Sequence, residues 1–191
     1  CLEMEEVQQP RRNTCCSRSF GKPVTSLREL EEAVSNYSVR ATRKARSEGS
    51  LACGIQVFLS TNRFREDQPQ YSNSVALSFD EPTDDPIRIV SNAKTLLRSI
   101  YRKGYFYKKA GVVLLGLICG RSRQSLLFEE HGDGRRKAFV EVMEEVAVRY
   151  GDSACFLAAQ GVRRSWGMRR RNRTPRYTTS WSELPEVRFS T

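Results

Sequence analysis

The sequence predicts an α+β fold: a four-stranded sheet with two helices on one face, in the order β-α-β-β-α-β. Three observations carry this. Two segments of helical period each have their own start and stop signals. Between them lie two strand-like segments joined by a polar loop, and short apolar runs precede the first helix and follow the second.

Cys16 to Phe20 is the first strand. The segment TSLRELEEAVSNYSVRATRKARSEG then places Leu27, Leu30, Val34, Tyr37, Ala41 and Ala45 on one stripe of a helix. Ser26, with Glu29 three positions on, reads as a capping box, and Gly49 follows a basic last turn as the stop. Leu51 to Thr61 and Tyr71 to Phe79 are the next strands, joined by NRFREDQPQ. Their alternation sends Ile55, Val57 and Leu59 inward and leaves Thr61, Asn62, Ser72 and Ser74 to hydrogen-bond outward. Asp85 caps a second helix, Pro86 fits its first position, and Ile87, Val90, Ala93, Leu97 and Ile100 line one face before Gly104. YFYKKAGVVLLGLIC is the fourth strand; Lys108 and Lys109 give way to small residues at Ala110 and Gly111, where a backbone could approach closely.

The remainder is less regular. It contains QSLLF in a loop, an amphipathic helix from about Arg136 to Tyr150, an apolar strand around Cys155 to Ala159, and an Arg-rich tail. The expected division is a linker over 1–14, a first domain over 15–120, a loop over 121–135, and a small α+β domain with an irregular tail over 136–191. The opening CLEMEEVQQPRRNT lacks an initiator Met and reads as a linker, so a fragment of a longer protein is expected.

Composition narrows the function. With 39% hydrophobic and 28% charged residues the chain is globular in composition, and no apolar run approaches the roughly 20 residues of a membrane helix. Thirty-two Lys and Arg against 22 Asp and Glu leave a charge of +10, which points to a polyanion such as nucleic acid. Six cysteines include no CxxC pair. Cys53, Cys119 and Cys155 lie in apolar runs and are expected to pack as core thiols in a reduced, cytosolic chain.

Catalytic chemistry finds little support. Asp84 and Asp85 are adjacent at a helix start and read as caps, so no metal is expected. The GDG at Gly132 to Gly134 lacks the rest of a P-loop, and His131, the sole histidine, has no nucleophile pattern beside it. Binding has more. CCSRSFGKPVTS offers hydroxyls, a guanidinium and unhindered amides to phosphate oxygens, or it is an ordinary strand end with a solvated arginine. The tail joins Arg163, Arg164, Arg169, Arg170, Arg171, Arg173 and Arg176 to Trp166, Tyr177 and Trp181, a set suited to phosphates and bases. The structural alternative has Trp166, Met168 and Tyr177 pinning an irregular segment to the helix at Arg136 to Tyr150.

SRSFGKPVTS, YSNSVAL, PTDD, YKKAGVVLL and WGMRRRNRTPRYTTSWSELP together resemble the C-terminal part of the UmuC subfamily of Y-family translesion DNA polymerases, which supplies the catalytic subunit of DNA polymerase V. The likeness runs from about Cys15 to Arg188, with Thr174 before Pro175 where a Ser is usual. It implies that 15–120 is the little finger, the auxiliary DNA-grasping domain. Its DNA contacts would be Ser17, Arg18, Ser19, Phe20, Gly21, Thr61, Asn62, Tyr71, Ser72, Asn73, Ser74, Lys108, Lys109 and Gly111. The resemblance makes Gln124, Leu127 and Phe128 a docking peptide for the replicative sliding clamp, with two apolar anchors and a register-setting amide. It leaves Trp166, Arg169, Arg170, Arg171, Arg173, Arg176 and Tyr177 to touch DNA or a partner, with UmuD-like subunits and RecA implied.

The function implied is that of the DNA- and clamp-binding portion of an error-prone polymerase of SOS repair and mutagenesis, in the bacterial cytoplasm and without a membrane partner. The alternative is a free-standing truncated product that binds DNA or the clamp. The family's Mg²⁺-binding carboxylates lie upstream in the palm of the intact polymerase, so no cofactor and no catalytic residue is expected here.

Overall fold

The computed structural model describes residues 11–120, 134–151, 154–168 and 174–184. The chain runs β1 (Thr14–Val24), α1 (Leu27–Ser47), β2 (Ser50–Thr61), β3 (Ser72–Thr83), α2 (Pro86–Ile100), β4 (Tyr107–Cys119) and α3 (Gly134–Tyr150). Short 3-10 turns follow at Ala158–Gln160 and Trp181–Glu183. The strands form one antiparallel sheet in the order β1-β4-β2-β3, so the predicted α+β architecture is the observed one.

The period-2 pattern explains the layering. Ile55, Val57 and Leu59 of β2 and Ala110, Val112 and Leu114 of β4 are fully buried beneath Leu30, Val34, Tyr37 and Ala41 of α1 and Ile89, Ala93 and Leu97 of α2. Both helices lie on that face. β3 is an edge strand, and Pro82 falls in the stretch between Ser78 and Thr83 where its pairing with β2 is irregular, so its missing N–H interrupts no regular ladder.

Helix ends divide the expectations. Asp85 accepts the Ile87 N–H at 2.8 Å and Pro86 occupies the first helical position, as predicted. Gly49 sits just past α1 at φ +64°, the conformation a C-terminal stop requires. The capping box fails: Ser26 has the extended backbone of an N-cap but makes no side-chain cap bond. Glu29 instead accepts a hydrogen bond from Ser165, whose hydroxyl competes for the same carboxylate.

The predicted strand at Cys155 to Ala159 is a correction. The chain turns at Ala158–Gln160, where the Gln160 side chain accepts the Leu157 N–H at 3.1 Å, and ends at Gly161 with φ +70°. Five apolar residues in a row do not distinguish a strand from a turn packed on a helix. The thiols also differ from expectation. Cys119 is exposed and Cys53 and Cys155 are half-buried, so none is a core residue. α3 lies over the helix layer, burying Val140 and Ala147, and Arg46 of α1 pairs with its Glu144 at 2.7 Å.

Candidate nucleic-acid interface

The sheet face away from α1 and α2 is carried by rows of facing residues. One row is Ser19, Lys109, Ser60 and Ser72; the next is Ser17, Gly111, Phe58 and Ser74; a third is Cys15, Val113, Gln56 and Ala76. Five hydroxyls and a lysine share it with no carboxylate in these twelve positions, a surface chemically suited to phosphate oxygens. Lys109 is exposed, and its ammonium stands 5.9 Å from the centre of the Phe58 ring.

Of the predicted set, Ser17, Ser19, Ser72, Ser74 and Lys109 lie on this face. Others do not. Arg18 is opposite Ala110, a core residue, so its side chain leaves on the helix side of the sheet. Phe20 is 1% exposed and belongs to the core, which leaves only its backbone for a ligand. Thr61 continues the inward register of Ile55, Val57 and Leu59; it is buried and donates to Gln70 at 2.9 Å. Its neighbour Ser60 takes the outward place.

Tyr71 is half-buried against Tyr105, with centroids 4.9 Å apart, and donates to the Ile100 carbonyl at 2.7 Å. Asn73 pairs with Leu59 on the helix side and donates to the Tyr71 hydroxyl at 3.0 Å. Asn62 accepts the Phe64 N–H at 3.2 Å, capping the β2–β3 turn. Lys108 donates to the Phe20 carbonyl at 2.9 Å, so its cation braces β1. Gly111 has no open backbone, because the Phe58 ring and Ser17 fill the space above it.

The sequence reading missed Phe58 and Ser60, although strict alternation from Ile55 places Gln56, Phe58 and Ser60 outward. It also missed the loop tip, where Phe64 is 95% exposed between Arg63 and Arg65. The Gln70 amide holds that loop by donating to Arg65 O at 2.6 Å and Asn62 O at 3.1 Å. No carried motif pointed there.

In the tail, Trp166 is buried, but not against α3 as the structural alternative supposed. It packs edge-on to Phe20 and Tyr37 of the first domain. Met168 and Tyr177 are about half exposed and pin nothing to that core. Arg176 donates twice to Glu183, at 2.7 and 2.8 Å, so its guanidinium is held within the tail. Gln124, Leu127, Phe128, Arg169, Arg170, Arg171, Arg173 and His131 lie outside the described residues.

Burial raises the Tyr37 phenol to about 12 and raises Tyr107 and the Cys16 thiol as well; nearby Arg40 and Arg18 partly oppose the Cys16 shift. All three groups belong to the core side. Among the described residues no cluster of three or more His, Cys, Asp or Glu could hold a metal ion, and no helix is long and apolar enough to cross a membrane.

Residues 11–127 match the C-terminal domain model of the impB/mucB/samB family. The chain belongs to this family. Residues 137–187 match a domain of unknown function, DUF4113. The chain is 35% identical over 189 residues to protein UmuC of Salmonella typhimurium, covering 98% of this chain and 45% of that protein. It is 32% identical over 186 residues to MucB of Escherichia coli, covering 97% of this chain and 44% of the relative. The chain thus spans about half the length of these family members. Among solved structures, an insertion ternary complex of Dbh DNA polymerase aligns at TM-score 0.44 and 15% identity, over 59% of this chain and 32% of that one. A complex of the β-clamp processivity factor with the little finger domain of PolIV aligns at TM-score 0.40 and 15% identity, over 61% of this chain and 99% of that one.

Proposed function

We propose that this chain is the DNA-holding and clamp-recruiting portion of an error-prone translesion polymerase of the bacterial cytoplasm, acting in SOS repair and mutagenesis. The observation that carries it is the free sheet face: hydroxyls from β1, β2 and β3 and Lys109 of β4 stand together with no carboxylate among the twelve facing positions, in a protein of charge +10. Such a face grips a phosphate backbone without reading sequence, as a polymerase that moves along its template requires. The nucleotidyl-transfer step, with its Mg²⁺ ions and their carboxylates, belongs to the half of the intact polymerase outside this chain, and the Arg-rich tail is the part of this chain offered to UmuD-like subunits or RecA.

Gln124, Leu127 and Phe128 follow the first domain directly and supply a Gln amide and two apolar anchors for the groove of a sliding clamp. The family relationship and this placement support that reading.

Fluorescence anisotropy tests both halves. Against primer–template DNA, engagement of about five phosphates gives a slope of log K on log salt near roughly −4.5; a flat response rejects DNA holding. Against purified bacterial sliding clamp, the parent binds and the Gln124→Ala, Phe128→Ala double variant does not. Equal clamp affinity in parent and variant rejects the docking peptide.

A further inference from the structure

The DUF4113 match begins at residue 137, yet part of that domain is built into the first one. Trp166 is 5% exposed. Its ring meets Phe20 of β1 at 6.5 Å and 78°, and Tyr37 of α1 at 5.8 Å and 81°. Ser165 donates to Glu29, and Gly161 lies so close to Glu32 that a Cβ there would come within 2.6 Å of its Cδ. The segment 154–168 therefore crosses the seam between α1 and β1 and fills a gap in the core. Without Trp166, Phe20 and Tyr37 would face water along an edge strand.

The point of attachment is where β1 is irregular. Ser19 pairs with Lys109 and Val24 with Tyr107, so four residues, Phe20 to Pro23, stand opposite Lys108 alone. This bulge breaks the ladder and leaves its backbone groups to find partners elsewhere. They find two. Lys108 donates to the Phe20 carbonyl at 2.9 Å, and the Gly21 N–H donates to the Trp166 carbonyl at 3.3 Å. The strand segment that leads from Ser17 and Ser19 to exposed Lys22 is thus fastened from the sheet on one side and from the second domain on the other.

We propose that residues 154–168 act as a strap, with Trp166 as its anchor, and that this strap sets the shape of the β1 bulge. The strap is a role for the second domain toward the first. Trp166 is a positioning residue: it touches no DNA but fixes the edge from which β1 presents Ser19 and Lys22. The consequence for DNA rests on the reading above; the strap itself does not.

The test uses the full chain with Trp181→Phe, a change at a side chain 90% exposed and remote from the core contacts, which leaves Trp166 as the sole tryptophan. The expected result is Trp166 emission shielded from acrylamide. Trp166→Ala then speeds amide exchange over residues 19–24 while the β2 and β4 core stays protected. It weakens DNA binding about fivefold and lowers the salt slope by about 0.9, the equivalent of one lost phosphate contact. Trp166→Phe restores most of the protection.

The proposal is overturned if Trp166 is quenched as freely as a solvent tryptophan, if exchange over 19–24 is unchanged in a folded Trp166→Ala chain, or if protection is lost evenly across the sheet. Should Trp166→Ala fail to fold, quenching in the Trp181→Phe chain and exchange in Trp166→Phe still decide. If the parent does not bind DNA, the DNA reading falls and the exchange data alone judge the strap.

Discussion

The ring of Phe58 on β2 lies across Gly111 on β4, in the space a Cβ at Gly111 would need. A Cβ there would stand 2.5 Å from Ser17 Cβ and 2.6 Å from Phe58 Cε1. The glycine lets an aromatic lie down at the centre of the polar sheet face, which keeps that face flat between the strands bearing Ser17 and Ser74. Gly111→Ala is accordingly expected to destabilise the chain by about 1–3 kcal/mol through overpacking. Urea denaturation checks it; a change within a few tenths of a kcal/mol would show that Phe58 swings away freely.

Lys109 is the one cation in the three central rows of the face. Under the DNA reading, Lys109→Ala removes one phosphate contact and reduces the steepness of the salt dependence by about 0.9, with affinity lowered alike for every DNA sequence. Titrations of two unrelated duplexes over a range of salt measure both effects.

The two helix starts behave differently on truncation. Asp85 caps α2 with a real hydrogen bond, so Asp85→Ala costs about 1 kcal/mol. Ser26 makes no side-chain cap bond, so Ser26→Ala changes stability by no more than about 0.5 kcal/mol. Thermal or urea unfolding of the pair distinguishes a cap formed from a cap merely spelled in sequence.

Tyr37 buries a hydroxyl that has no hydrogen-bond partner among the described residues. Burial raises its phenol from 10.0 to about 12. The folded state therefore favours the neutral, protonated form: its contribution is complete below pH 10 and is lost as the pH rises toward 12. Tyr37→Phe leaves stability at neutral pH unchanged or higher by up to about 1 kcal/mol, because an unpaired donor is removed. It also removes part of the alkaline loss, about 2–3 kcal/mol at most. Tyr107 is raised by burial in the same direction, so the difference between parent and variant from pH 9 to 12 is the informative quantity.

Arg46 joins three elements, reaching Asp84 before α2 at 3.1 Å and Glu144 of α3 at 2.7 Å. Its side chain is 16% exposed, and the carboxylates are 41% and 34% exposed, which screens both pairs. Arg46→Met should cost about 1–2 kcal/mol and loosen α3 before the sheet unfolds. Limited proteolysis that cuts first within α3 in the variant would show it; cleavage patterns identical to the parent would not.

How much of this was legible in the chain depended on whether the signal was local. The helical stripe from Leu27 to Ala45, the Asp85–Pro86 start, Gly49 at positive φ and the alternation of β2 are properties of neighbouring residues, and each formed where its pattern placed it. The same alternation would have assigned Ser60 outward and Thr61 inward, had it been carried two residues further than the polar letters invited. The motifs likewise marked the family and the segment that bears the sheet face.

Partners brought from far away in sequence were set by packing. Register across β1 and β4 turned Arg18 to the helix side and left Ser17 and Ser19 on the face, because side-chain direction depends on which residue lies opposite. Glu29 gave up its local capping role to Ser165, and Trp166 found Phe20 and Tyr37 instead of α3. Propensity, capping and periodicity act over a few residues, so the sequence sufficed for the four strands and two helices of the first domain and for the family motifs, but not for the turn at Ala158–Gln160. The three-dimensional fold determined which polar groups remain free for a ligand, since burial and hydrogen bonding are settled by strand register and by partners brought together from distant parts of the chain.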